Sequence, residues 1–239
     1  AFSADGEFMV ASVSGYDADG NPEMPHAEVW RTRTGEKIGE VRTGERVGVL
    51  AVAVSADASH TIVSGMDGSV RAIETQSGTE KSRMMHRWVI QQVSVRDDGR
   101  FVGSIDGGGT MHVWTGADGR EVFRRSSPDA YFPGEFEDTI WFSHSSRYFA
   151  TATLNDVSTQ IAPGQVRTDF SGTVFIWNGD ISRRTGTEHD GRARGHPFSP
   201  DGKYLISTEA IRGVDVRVFD IDSRAELFQY AHDLRVADM

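Results

Sequence analysis

Short segments in which apolar and polar residues alternate recur along the whole chain. The alternation is clearest at residues 101–105 (FVGSI) and 214–218 (VDVRV). Because neighbouring side chains of a strand point to opposite faces of a sheet, this period of two predicts β-strands. Asp-Gly and similar steps between the segments supply the positive φ that tight antiparallel turns need, which places turns at Asp57, Asp97, Asp98 and Asp201.

Two sequence signatures follow each other five times in the same order. The first pairs an apolar run with a Ser/Asp/Gly turn and occurs at residues 1–12, 52–64, 93–104, 140–151 and 196–207. The second ends a strand on a large apolar residue before a polar turn, at Trp30, Ile73, Trp114, Trp177 and Phe219. Three of the four intervals between these residues are 41 to 43 residues, and the fourth is 63 and holds an insertion. Such a period, with four short strands per repeat, is typical of the blades of a β-propeller.

The repeats resemble those of the WD40 family. The resemblance is closest in FSPDGKYLIS (198–207), MDGSVRAIETQSG (66–78) and GGTMHVWTGADG (108–119), and it covers essentially the whole chain. PFSPDGKYLI would equally suit the related repeat of TolB-like propellers. The resemblance implies an all-β propeller of four-stranded antiparallel blades, with five repeats visible and the propeller partial or open.

The repeats divide the chain into one propeller region, residues 1–239, with successive blades at about 1–43, 44–86, 87–126, 127–187 and 188–231. The segment YAHDLRVADM (230–239) then places His232 where a WD40 repeat has its His, followed by the beginning of a strand. Residues 232–239 either start a further blade or close a five-bladed ring by pairing with residues 8–12. We expect the first, a portion of a longer propeller, because WD40 repeats suit rings of seven or eight blades better.

The WD40 resemblance also implies a hydrogen-bonded set of His, Ser, Asp and Trp within a blade, and no repeat shows all four at the expected places. The third repeat has His86, Ser104 and Trp114 but Gly108 at the turn position. The second has Ser64 and Asp67 but Ile73 in place of Trp. We expect structural roles for His86, His189 and His232, which lie near the junctions between repeats.

Composition excludes several functional classes. The formal net charge of −10 argues against a nucleic-acid-binding surface, which needs clustered Lys and Arg. The absence of cysteine removes disulfides, Cys-ligated metals and thiol nucleophiles. No apolar run approaches the roughly 18 residues of a membrane span, and no signal peptide is visible. The compartment stays open, with the cytoplasm favoured over the periplasm.

Three segments are longer than the repeat needs, at residues 14–28, 126–138 and 154–172. We expect them to be loops that open on one face of the propeller. Aromatic residues on such loops suggest contacts with a partner, since rigid aromatic side chains anchor interfaces. The candidate partner-binding residues are Tyr16, Tyr131, Phe132, Phe136 and Phe170; alternatively, these side chains fold back and cover the edge of a blade.

Two motifs resemble binding sites without matching them. DADGNPEMPHAE (17–28) has Asp17, Asp19, Asn21 and Glu28 at the spacing of a calcium loop, but Pro22 stands where that loop requires Gly. SIDGGGTM (104–111) matches the core of an Asp-box but lies at the wrong place in the repeat, which favours a Gly-rich hairpin turn. We therefore expect no metal and no cofactor.

No motif for nucleophilic, phosphate-binding or dinucleotide chemistry occurs in the chain. The leading hypothesis is accordingly a non-catalytic scaffold that binds another protein, or another domain of the same polypeptide, through loops on one face. The alternative is a small-molecule, glycan or catalytic site at the central channel, as in periplasmic TolB-like or lyase-type propellers. The inner strands are mostly apolar apart from Gln91 and Gln92, which favours the scaffold.

Overall fold

In the residues that it describes, the computed structural model has eighteen β-strands in five antiparallel sheets. It describes residues 1–16, 22–42, 48–126, 139–144, 147–162, 165–178, 189–190, 197–208 and 214–232. Those residues contain no helix, and hence none that could cross a membrane. The prediction of an all-β chain is confirmed. The chain divides into two compact units, residues 1–135 and 136–239.

The first unit holds three sheets, each built from strands that follow one another in the chain. Sheet one contains β1 (Phe8–Tyr16), β2 (Pro22–Arg31) and β3 (Glu36–Arg42). Sheet two contains β4 (Val49–Val54), β5 (His60–Gly65), β6 (Ser69–Glu74) and β7 (Glu80–Met85). Sheet three contains β8 (Ile90–Val95), β9 (Phe101–Asp106), β10 (Met111–Thr115) and β11 (Glu121–Arg125).

The second unit holds two sheets of the same kind. Sheet four contains β12 (Thr139–Phe142), β13 (Tyr148–Ala162), β14 (Gln165–Asn178) and β15 (His189–Asp190). Sheet five contains β16 (Tyr204–Thr208), β17 (Val214–Asp220) and β18 (Glu226–His232).

Four strands per sheet were expected, and within the described residues sheets one and five have three. In sheet one, Phe2 forms only an isolated bridge to Met9, and in sheet five Phe198 does the same with Leu205. Pro197 and Pro200 flank Phe198, and a proline cannot donate a hydrogen bond to a neighbouring strand. Neither proline can therefore add a donor to this pairing, although the Pro197 oxygen accepts the N–H of Ile206.

One turn design recurs between the first and second strands of the repeats. In three repeats a Ser hydroxyl donates to an Asp two residues later, as in Ser55–Asp57 at 2.8 Å and Ser199–Asp201 at 2.7 Å. The same carboxylates accept backbone N–H groups of Ser59 and Lys203, and Asp98 accepts that of Arg100. The predicted turns at these aspartates are confirmed.

Adjacent sheets of the first unit pack face to face. Val54, Val63 and Ile73 of sheet two join Val10 and Val29 of sheet one in one buried cluster. The opposite face of sheet two contributes Ile62, Val70 and Ala72 to a second cluster, which is completed by residues of sheet three that include Val102 and Trp114. Sheet two is therefore apolar on both faces and covered on both.

The two sheets of the second unit are packed in the same way. Their shared buried cluster contains Trp141, Val174 and Ile176 from sheet four, and Leu205 and Phe219 from sheet five. At its edge, the Tyr148 hydroxyl and the Arg147 guanidinium both bond Asp222. These contacts tie sheet four to the turn that follows β17.

Two of the predicted long loops are mostly strand. Residues 154–162 and 165–172 continue β13 and β14 as one long antiparallel hairpin, and residues 14–16 and 22–28 belong to β1 and β2. Val157, Thr159 and Ile161 before Pro163-Gly164 have the period of two and the β-branched side chains of a strand ending at a turn. The loop prediction for residues 154–172 was wrong because it relied on the length of the segment, whereas the alternation of side chains on either side of a Pro-Gly step indicates a hairpin.

The close approach of sheets one and two gives the first prediction. A Cβ added to Gly39 would lie 2.6 Å from the backbone oxygen of Thr75. We expect Gly39→Ala to lower the free energy of unfolding by about 1–3 kcal/mol, because the two sheets must separate to admit the methyl group. Urea denaturation measures the change.

Gly107→Ala is the matched control, since its Cβ would meet nothing closer than the Val89 oxygen at 3.6 Å. It should change the stability by no more than about 0.5 kcal/mol. Equal losses in the two variants would contradict the proposed packing constraint.

Candidate functional site

Residues 86–89, here called the connector, join β7 of sheet two to β8 of sheet three. The backbone N–H of His86 donates to the Gly68 oxygen at 2.9 Å, in the turn between β5 and β6. On the other side, the Gly107 N–H donates to the Val89 oxygen at 2.8 Å, in the turn between β9 and β10. The connector is therefore held between the turns of two neighbouring sheets.

Glycines make this close approach possible. A Cβ on Gly68, which has a φ of +78°, would lie 2.8 Å from the His86 oxygen. One on Gly108 would lie 2.4 Å from Cδ1 of Trp88. Side chains at these two positions would displace the connector or the indole that rests on the second turn.

A buried hydrogen-bond network fixes His86. Its Nδ1 lies 3.3 Å from Oδ2 of Asp106, and its Nε2 lies 2.8 Å from Oγ of Ser104. The indole Nε1 of Trp114 donates to the same hydroxyl at 3.5 Å. If the proton is on Nδ1, the ring donates to Asp106 and accepts from Ser104, so one neutral tautomer satisfies every partner.

The WD40 resemblance implied a His/Ser/Asp/Trp set, and the third repeat contains all four residues. The carboxylate comes from Asp106. This residue lies two positions before Gly108, the position at which the resemblance implied an Asp. Asp106 lies in SIDGGGTM and also accepts the backbone N–H groups of Gly108 and Thr110, both at 3.0 Å. The interpretation of that motif as a hairpin turn is correct, and Asp106 also serves the network.

The charges of this network are set by burial and by the hydrogen bonds. Burial opposes ionisation of Asp106, but the bonds from His86, Thr110 and Gly108 outweigh it and hold the pKa of Asp106 below its usual range. Burial is the largest influence on His112 and lowers its pKa, although the contact of its Nδ1 with the Glu121 carboxylate acts in the opposite direction. The rings of His86 and His112 meet edge to face with their centroids 4.6 Å apart. His112 is therefore neutral at pH 7.

A concavity of about 470 Å³ opens beside the connector. His86, Asp106 and His112 form part of its lining, and Arg87, Trp88 and Arg124 stand around it. Both arginines are exposed, and the Arg87 guanidinium lies 5.6 Å from the centre of the Trp88 ring. The concavity combines a buried polar wall with an aromatic and cationic rim.

Large apolar side chains are exposed at the same end of sheets two and three. They lie at the start of β4, after β5, at the end of β7 and in the connector: Leu50, Met66, Met85, Trp88 and Val89. Trp88 is 49% exposed and Val89 is 54% exposed. At the opposite end of these two sheets, the described turns expose no large apolar side chain and are mostly polar, with Asp57, Gln76, Asp98 and Asp118 among the exposed residues. Within sheets two and three, the exposed large apolar side chains thus lie at one end; in the second unit, Leu227, Phe228 and Tyr230 of β18 are also exposed.

The structure places the predicted partner-binding residues elsewhere or does not describe them. Tyr16 ends β1 opposite Pro22, and Phe170 lies within β14 opposite Asp156. Tyr131, Phe132 and Phe136 lie outside the described residues. Trp88 and Val89 were not predicted from the sequence, although two large apolar residues that follow Arg87, close after a structural His at a repeat junction, could have signalled them.

The structural role predicted for His86 is confirmed. His189 and His232 do not lie in connectors between sheets. His189 belongs to β15 opposite Val174, and His232 belongs to β18 opposite Val214. Residues 234–238, which were considered as a closing strand, lie outside the described residues, and the backbone of Val10 already pairs with that of Ala1.

One cluster has the composition of a metal site. The ligand atoms of His26, Glu28 and Glu40 all lie within 4.8 Å of one another. The Lys37 ammonium, however, contacts Glu28 and bonds Glu40 at 2.8 Å, and these hydrogen bonds lower the pKa of both carboxyls. Glu28 also lies in β2, so it is not the twelfth residue of a calcium loop; Asp17, Asp19 and Asn21 lie outside the described residues. The cluster is best described as an ion-pair network centred on Lys37.

Comparison with known proteins adds no family assignment. No model of a known protein family matches the chain, and no curated protein gives a significant match.

The neutral His112 predicts a pH dependence of stability. The unfolded state, in which a histidine has a pKa near ~6.5, binds a proton more readily than the native state does, so the free energy of unfolding should fall as pH drops below about 6.5. His112→Gln should flatten this part of the profile, which urea denaturation between pH 8 and pH 5 would measure. Gln91→Asn, an exposed substitution in β8 that leaves every ionisable group in place, is the control and should retain the wild-type slope. An unchanged slope in His112→Gln would refute the assignment.

Proposed function

We propose that this chain is a non-catalytic, WD40-like propeller module that binds another protein, or another domain of the same polypeptide, at one end of its sheets. Five consecutive antiparallel sheets, the recurring Ser-x-Asp turn and the His86 network support the propeller part of the proposal. Neither nucleic acid nor a membrane is the expected partner.

The observation that carries the binding part is the one-sided exposure of Leu50, Met66, Met85, Trp88 and Val89. Contiguous exposed apolar surface on a soluble domain marks interaction sites, and Trp and Met are enriched in the cores of interfaces. The backbone beneath Trp88 is fixed on both sides, and a fixed anchor loses little conformational entropy when it is buried by a partner.

Site-specific photo-cross-linking tests which end binds. A photoreactive p-benzoylphenylalanine would replace Val89 at the apolar end, and Gln76, in the turn between β6 and β7, at the polar end of the same sheet. We expect discrete covalent adducts from position 89 in extracts of the native host, and their loss when Trp88→Ala is added. Position 76 should give none of these adducts. Identical adducts from both positions, or none from position 89, would contradict the proposal.

A further inference from the structure

We propose that the concavity beside the connector binds an acidic segment of the partner protein. A Glu or Asp carboxylate of that segment pairs with Arg87 and Arg124, and an adjacent apolar side chain lies on Trp88. This inference rests on the proposed function and specifies the chemistry of the partner.

The charges that line the concavity support an anionic ligand. Arg87, Arg124 and Asp106 are its charged residues within the described part of the chain. Asp106 is 1% exposed, and its charge is already engaged by His86 and two backbone N–H groups. Neither Arg87 nor Arg124 has an ion pair among the described residues, although the chain carries ten more acidic than basic side chains. The accessible charge of the concavity is therefore positive.

Arginine suits the recognition of a carboxylate. The planar guanidinium can present two parallel N–H groups to the two oxygens of a carboxylate, and such charge-assisted bonds are stronger than neutral ones. Arg124 lies opposite His112 in the pairing of β10 with β11, so its backbone is fixed within sheet three. Arg87 belongs to the connector, whose backbone is bonded at His86 and Val89. Both cationic side chains thus start from positions set by the fold.

Trp88 would contact the apolar part of the ligand. The indole rests on Gly108, with the Arg87 guanidinium 5.6 Å from its ring centre, and half of its surface is open. Met85 and Val89, both more than half exposed, extend the apolar surface from the indole. A ligand that carries one carboxylate and a neighbouring aromatic or aliphatic side chain would contact both parts of the rim.

Selection from a random dodecapeptide phage library against the full chain tests this chemistry. We expect the selected sequences to be enriched in Glu or Asp next to an aromatic or aliphatic residue. A synthetic peptide of the most frequent sequence would then be titrated calorimetrically into the wild-type protein and its variants. Arg87→Glu and Arg124→Glu should each weaken its binding at least about tenfold, since each replaces an attraction by a repulsion. Trp88→Ala should weaken it comparably, and added NaCl should weaken it in the wild type.

Arg120→Glu is the matched control, because it makes the same charge change on an exposed residue of the turn before β11, at the opposite end of sheet three. It should alter the affinity less than about twofold, since exposed charges farther apart than the Debye length are screened. Arg124→Gln, which removes the charge without reversing it, provides a second variant if a reversal lowers the melting temperature. Its binding should lie between those of the wild type and Arg124→Glu.

Two results would overturn the inference. One is a set of selected peptides without acidic enrichment, or whose binding survives Arg87→Glu and Arg124→Glu. The other is a library that yields no binder. Neither would overturn the proposed interaction module if the cross-links from position 89 persist, so failure of the ligand chemistry and failure of the module can be distinguished.

Discussion

A sheet with apolar side chains on both faces can be stable in water only if both faces are covered, and this constraint organises the first unit. Val63 and Ile73 of sheet two pack against sheet one, while Ile62 and Val70 pack against sheet three. Because no single sheet can bury its own apolar faces, the stability of the unit comes from contacts between consecutive repeats. The ends of the sheets are exempt from this requirement, so their turns and connectors can carry side chains that are not needed for folding.

The four residues of the connector between sheets two and three combine one buried anchor, His86, with three exposed side chains. The side chain of His86 points inward and bonds Asp106 and Ser104 of sheet three, and its backbone N–H bonds Gly68 in a turn of sheet two. Arg87, Trp88 and Val89 are consequently held at the surface on a backbone that is already ordered. Loss of the buried network would therefore affect the exposed residues as well, since the same backbone carries both.

Much of the fold could be predicted from the sequence because its cues are local and repeated. The alternation of side chains and the Asp turns identified five repeated units, and the apolar residue that ends each third strand gave their spacing. The long hairpin of β13 and β14 was missed because its polar alternation resembles a loop when length alone is considered. Pairing such as that of Asp156 with Phe170 joins residues 14 positions apart in the sequence, and the length of the segment alone does not reveal it.

The site was harder to predict for a different reason. Asp106 reaches His86 from two residues before Gly108, the position at which the WD40 resemblance implied the carboxylate. Trp88 lies in a short junction without periodicity, so only the packing of neighbouring turns reveals that it is exposed. Residues with repeated local roles are visible in a sequence, whereas residues placed by contacts between repeats are not.

The hairpin of the second unit has a geometric consequence. Beyond Ala152, the last residue of β13 that pairs with β12, the two strands continue together to Ala162 and Gln165. At about 3.3 Å per residue, this ribbon extends on the order of 30 Å past that pairing. Among the described residues, only Asp190 pairs with its outer edge, at Thr173. The ribbon therefore presents rows of main-chain donors and acceptors along two edges, which are groups that any extended polypeptide can match, whatever its side chains.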